Sequence, residues 1–391
     1  MTDHPLPGGA APRLRLAVAG LGAIARTAHL PLLERRSDLF EITALCDLSP
    51  SCLDEIGTRY GVPVQRRHTG TGSLLAQGGF DAVLLLTSGS HGDVAEAALR
   101  EGYAVLCEKP LAYTRAEAAR VAAAESEQGR GPRLMVGYMK QYDPAAVRLT
   151  ELLAEAGGTG SVRSVEVCVL HPTGEAQLEF AHLPAPAGDV DREALAALRA
   201  RDGELVGQAL GVEAPEPARA LYDIVNSSVC HEFSLLRSII GSPESVDFAA
   251  RWSDEATRPG SVELSGRLPG PARYSIRWHY LPGHAAYRET VAVHHECGTL
   301  ELAFPSPYLM NAPTVLTATD NMSGAEVRAE YRSVVEAFEE ELVAFHAMVT
   351  QGRPPRTGVR GATEDLITAQ RVVARYAARE QLPCAGETTT V

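Results

Sequence analysis

Over its first third the chain sets short apolar runs between longer stretches of helical spacing. The runs are LRLAVA (14–19), FEITALC (40–46), FDAVLLLTS (80–88), YAVLCEKPL (103–111) and LMVG (134–137). Runs of this length with hardly a polar interruption predict parallel strands covered on both faces. Between them, SCLDEIGTRYG and HGDVAEAALREG read as helices, and a short strand is expected around Pro63 to Gln65. Thr114 and Glu117 have capping-box spacing, predicting a helix that Gly129 ends.

Past about Tyr138 the period changes. AAVRLTELLAEAG has helical spacing, and the segments RSVEVCVL, SVELSGRL, YSIRWHY, RETVAVHHE and GTLELAF alternate apolar and polar residues. In YSIRWHY, Tyr274, Ile276, Trp278 and Tyr280 share one strand face. Helical spacing returns in AEYRSVVEAFEEELVAFHAMVTQG and EDLITAQRVVARYAARE. The expected fold is a doubly wound parallel α/β (Rossmann) domain over 12–137. An α+β domain over 138–383 follows, with a large open, mostly antiparallel sheet. Within it, 173–220 is Ala-, Pro- and acid-rich with one helical piece, REALAALRARDGELVGQALG. A segment that long with little structure predicts a lid over the pocket or an arm toward a neighbouring subunit.

At 391 residues and 45% hydrophobic content the chain fits a two-domain globular protein. Its net charge of −13 argues against nucleic acid and anionic lipid as partners. No apolar run is long enough to span a bilayer, and MTDHPLPGGAAP reads as a floppy lead-in without signal-peptide character. The 7 cysteines lack any CxxC spacing, which suits reduced thiols in a cytoplasm. No metal site is expected, since the adjacent His294 and His295 point to opposite faces of a strand.

The chemistry begins where the first run breaks. Gly20-Leu21-Gly22-Ala23-Ile24-Ala25 gives a tight turn, a bare backbone for a pyrophosphate, and a small residue that lets the next helix pack close. The second run ends in Asp47, where an acid bonds an adenosine ribose, and no Arg or Lys follows at once to neutralise a ribose phosphate. NAD is therefore expected in preference to NADP. Thr87 and Ser88 end the run at 80–88 with His91 just beyond, and Glu108, Lys109 and Pro110 end the next, all at the carboxyl edge where ligands of open α/β sheets bind.

GLGAIARTAHLPLL, TSGSHGDVAEAALREGYAVLCEKPLA, VGYMKQYDPA and HEFSLLRSIIG together resemble the glucose-fructose oxidoreductase, inositol dehydrogenase and rhizopine-catabolism family of NAD(P)-dependent enzymes. The resemblance implies hydride exchange between nicotinamide and a ring hydroxyl or ketone of a sugar, cyclitol or glycosylated compound, by a homodimer or homotetramer joined through the second sheet. It makes Lys109 the active-site lysine and His231 the catalytic histidine, with Tyr138, Lys140, Tyr142, Asn226 and Ser227 beside the substrate. The family's acids four before and three after that histidine are replaced by Ser227 and Ser234. Without the first acid, His231 is expected to titrate near the ordinary value of about 6.5. Cys107 and Cys230 lie near this site but read as inert buried thiols. Two further readings remain open: an enzyme that keeps NAD bound and uses transient oxidation for elimination, hydrolysis or epimerisation, and a non-catalytic dinucleotide-binding sensor.

Overall fold

A computed structural model of the chain describes residues 13–183, 187–253, 259–322 and 324–391. The expected lead-in at 1–12, and 184–186 of the long segment, lie outside the described residues. The first sheet is parallel throughout and holds β1 (Leu14–Ala19), β2 (Phe40–Cys46), β3 (Arg67–His68), β4 (Ala82–Leu85), β5 (Ala104–Glu108) and β6 (Leu134–Gly137) in the order β3-β2-β1-β4-β5-β6. The strand order reverses beside β1, which opens a crevice at the carboxyl edge between β1 and β4. Five helices make the crossovers: α1 (Leu30–Arg35), α2 (Pro50–Arg59), α3 (Thr71–Gln77), α4 (Gly92–Arg100) and α5 (Arg115–Glu127). The short strand falls at Arg67–His68, later than expected, because Val64–Arg66 takes a 3-10 turn. Thr114 caps α5 by accepting from the Glu117 N–H.

The second sheet has eight strands in the order β14-β13-β12-β11-β7-β10-β9-β8, with only β7 and β10 parallel. Its strands are β7 (Val162–His171), β8 (Ser245–Trp252), β9 (Ser261–Arg267), β10 (Arg273–Tyr280), β11 (Arg288–His295), β12 (Gly298–Phe304), β13 (Val315–Met322) and β14 (Ala325–Arg332). Tyr274, Ile276 and Trp278 are buried on the face the alternation assigns them, against helices. Helices α6 (Pro144–Glu155), α7 (Gly174–Phe180), α8 (Arg192–Leu210), α9 (Glu216–Ile224), α10 (Cys230–Ile239), α11 (Ala337–Gln351) and α12 (Val359–Glu380) complete the chain. The helix expected to begin at Ala329 starts at Ala337; Ala329 to Arg332 are the end of β14, and 333–336 connect the two.

Alternate strand residues send side chains into two cores. Ala17, Val83, Leu85 and Val105 join the core shared with the second sheet, whereas Leu16, Val18, Leu84 and Leu106 face α1, α2 and α11. Leu342 and Phe345 of α11 are fully buried there, and burial of each contributes about 2 kcal/mol. The change of sheet after residue 137 therefore coexists with a late helix that covers the first domain. Among the described residues no helix is long and apolar enough to cross a membrane.

Candidate functional site

The turn after β1 is held against the end of β4. Gly20 has φ +92°, and a Cβ there would sit 2.6 Å from the Leu86 carbonyl carbon. At Gly22 an added Cβ would meet nothing within 4 Å, so the backbone is bare toward the crevice. The crevice holds about 450 Å³ and is lined by Gly22, Ala23, Ile24, Thr87, Ser88 and Glu108 to Pro110. This cradle fits a dinucleotide, with the pyrophosphate over the N–H groups that open the helix. Asp47 at the end of β2 accepts from the Leu21 N–H at 2.8 Å and the Ser49 N–H at 2.9 Å, which fixes its carboxylate beside the turn. His91 is buried, its ring nitrogens 2.8 Å from the Pro110 carbonyl and 3.0 Å from that of Thr87. It ties the β4 and β5 loops together and does not line the crevice. Burial would raise the Glu108 carboxyl, but the bond to His29 at 3.1 Å and the charges of His29 and Lys109 hold it below its ordinary value.

Across from this crevice lies a pocket of about 570 Å³ between the domains. The two cavities share Lys109, Asp223, Ser227 and His231 as common walls. Lys109 follows β5 and donates its ammonium to the Ser227 carbonyl at 2.5 Å. Ser227 lies in a π-helical turn, Val225–Val229, that runs into α10 and sets His231 in its first turn. Tyr138 meets the imidazole edge-on, and Nδ1 is buried without a partner. Burial pushes the His231 pKa well below its ordinary value, and the charges of Lys109 and Lys140 push the same way. The near-ordinary titration expected from the missing acid gives way to a firmly neutral imidazole, because enclosure adds to that loss.

Not every expected residue reaches the pocket. Tyr142 turns its phenol to Thr357 at 3.1 Å and accepts from the Arg356 N–H. Asn226 is buried and donates to the Tyr222 carbonyl at 2.8 Å, and Tyr138 is packed in the core. None of the three lines either cavity. Lys140 does line the pocket, with its ammonium bonded to Glu232 at 2.7 Å and to Glu289 at 2.6 and 2.7 Å. Burial alone would lower this lysine, but the two carboxylates hold it above its ordinary value. Glu289 also accepts from the Tyr287 phenol at 2.6 Å, whereas Glu232 Oε2 has no partner. Burial, opposed by Lys140 and aided by Glu289, pushes the Glu232 carboxyl up to about 7. The sequence reading passed over Glu232, Glu289, Tyr287 and Asp223. Adjacency to His231 was a signal for Glu232, and helical spacing before Ser227 one for Asp223.

The long segment divides its contacts. Gly174, Glu175 and Gln177 of α7 line the pocket. Farther along, Asp189 accepts from Ser49 Oγ at 2.5 Å, Ser51 N at 2.8 Å and Ser51 Oγ at 2.9 Å, and the Asp191 N–H donates to the Leu48 carbonyl. Asp202 of α8 accepts from the Ser90 N–H at 3.2 Å, and Arg201 bonds Asp93 at 3.0 Å. The segment thus runs along the carboxyl edge from the β2 loop to the β4 loop.

Residues 14–138 match the family described as an oxidoreductase family with an NAD-binding Rossmann fold. The chain is 31% identical over 142 residues to an inositol 2-dehydrogenase of Salmonella typhimurium, covering 36% of this chain and 41% of that one. Over 162 residues it is 33% identical to an inositol 2-dehydrogenase of Saccharopolyspora erythraea, covering 41% and 46%. It thus spans less than half the length of these curated relatives. Among solved structures, a 3-ketoreductase from Actinomadura kijaniata with NADP superposes with a TM-score of 0.67 at 19% identity, covering 93% of this chain and 97% of that one. A dehydrogenase from Bordetella pertussis with NADH and UDP-GlcNAcA gives 0.66 at 19%, covering 95% and 99%. At such identities the likeness is one of fold.

Proposed function

On the match of residues 14–138 to the oxidoreductase family with an NAD-binding Rossmann fold, we propose an NAD-dependent enzyme acting on a ring hydroxyl or ketone. Its substrate is a sugar, cyclitol or glycosylated compound. The observation that carries this reading is that the dinucleotide crevice and the larger pocket meet at Lys109 and His231. When bound, the nicotinamide supplies a hydride acceptor. His231, neutral, takes the hydroxyl proton, and the Lys109 ammonium stabilises the negative charge developing on oxygen in a site shielded from water. Ser227 holds Lys109 in place through its carbonyl. The inositol 2-dehydrogenases among the similar proteins support this class of substrate. Assembly into a homodimer or homotetramer through the second sheet, and residence in the cytoplasm, complete the proposal.

The test is near-ultraviolet absorbance of the purified protein with NAD and a panel of polyols and nucleotide sugars. NADH appearing in proportion to substrate consumed supports the reading; tight NAD binding with no change in any compound would sink it.

One observation favours the retained-cofactor reading as well. Elimination, hydrolysis or epimerisation through a transient ketone needs a second proton-handling group in the pocket, and Glu232, pushed up to about 7, lies there next to His231. Product formed without net NADH marks this alternative.

A further inference from the structure

The start of α2 resembles an anion site whose occupant is the chain itself. Helix α2 is 10 residues long, and its first turn presents the Ser49 hydroxyl, the Ser51 N–H and the Ser51 hydroxyl. All three donate to the carboxylate of Asp189. Ser49 and Ser51 follow Asp47, whose carboxylate sits where ribose hydroxyls bind. A phosphate on the ribose 2′-oxygen, projecting past Asp47 toward the start of the next helix, would seek those donors.

We propose that Asp189 is a cofactor-specificity residue, a carboxylate brought in by the long segment that occupies the position a ribose 2′-phosphate would need and so excludes NADP. The proposal rests on the dinucleotide-binding reading above. Exclusion has two parts: three donors are already engaged, and a second negative charge stands beside Asp47. Neighbouring contacts hold the device at fixed points, with Asp191 N–H on the Leu48 carbonyl and Asp202 on the Ser90 N–H. The first half of α8 is exposed and rests on these polar contacts; its buried apolar residues are confined to Leu205 to Leu210. An uncharged occupant of the same shape would keep the tether and lose the repulsion.

The experiment is calorimetric titration of the full chain with NAD and with NADP, for wild type, Asp189→Asn, Asp189→Ser and Asp191→Ala. Wild type should prefer NAD. Both Asp189 variants should tighten NADP by about tenfold, the scale of removing one like charge near a solvated phosphate, with NAD affinity within about twofold. Asp191→Ala, which removes the side-chain cap on the Glu193 and Ala194 N–H groups at the start of α8 but keeps the Asp191 N–H and the Asp189 carboxylate, should leave the ratio of the two affinities unchanged. An unaltered ratio in both Asp189 variants overturns the proposal. So does a wild type that binds NADP as well as NAD, or an Asp191→Ala variant that narrows the ratio as much as Asp189→Asn. A wild type that binds neither dinucleotide defeats the cofactor reading itself, a failure distinct from these.

Discussion

Two lysines face the same pocket and differ in almost everything else. Lys109 closes β5 with one carbonyl as its partner and stands where crevice and pocket meet. Lys140 is buried, with three short bonds to two carboxylates. A charge with one neutral partner is free to respond to an oxygen that becomes negative. A charge already neutralised twice is not, and its office is to hold Glu232 and Glu289 together inside the protein. The two nonetheless act jointly on His231, since both positive charges disfavour its protonated form. The comparison sets a half-buried lysine with a single neutral partner against a buried one that ties two carboxylates together.

The largest effect should come from the buried centre. Lys140→Met would leave two enclosed carboxylates facing each other, and breaking a buried pair in this way costs about 3 to 5 kcal/mol. Urea denaturation should show that loss; a midpoint within error of wild type would mean water already reaches the trio. At the other lysine the loss should be catalytic. Lys109→Ala and His231→Ala should each lower kcat by about a hundredfold or more, with NAD affinity changed only a few-fold. Steady-state kinetics with calorimetry decides this, and near-normal turnover in His231→Ala would move the proton relay to Glu232.

Glu232 sharpens the contrast through pH. Its folded-state pKa, about 7, lies above the ordinary glutamate value of 4.5. Between these values the folded protein keeps a proton that the unfolded chain has released. The associated stability is present below the lower value and is lost as pH rises toward 7. Relative to Glu232→Gln, wild type should lose about 3 kcal/mol across that window; parallel stability profiles would remove the raised carboxyl from the account. The smallest effect is expected at Ser227→Asp. A carboxylate near His231 favours the charged ring, so the acidic limb of the kcat profile should move up by about one pH unit. A downward or null shift would show that the new side chain pairs with Lys109 instead.

The first domain was legible because its strands are buried on both faces and read as uninterrupted apolar runs. The second sheet was legible where one face is buried, as in β10, and illegible at its edge. In β14, AEVRAEYR, hardly a residue is buried, so no apolar alternation marks it, and its last residues passed for a helix. At the site, residue types at strand ends were readable but side-chain directions were not. Tyr138, Lys140 and Tyr142 cluster in sequence, yet the 3-10 turn Met139–Gln141 sends only Lys140 to the pocket. Glu289 and Asp189 come from distant segments, and nothing local announces which carboxylate will meet which donor.

Helix α12 packs on α5 and β6 of the first domain and on α10 and β8 of the second. Just before it, the Thr357 carbonyl accepts from the Val136 N–H at 2.8 Å, and within it Asp365 clasps Arg237 of the same helix that carries His231. Ribosomal synthesis delivers these residues late, after the Gly20 turn and both lysines have emerged and the first sheet has had time to form. The nascent chain can thus carry the Gly20 turn while both the α11 cover of the first sheet and the anchor of the α10 histidine are still to come. The pocket wall that carries His231 is therefore completed only once α12 has been translated.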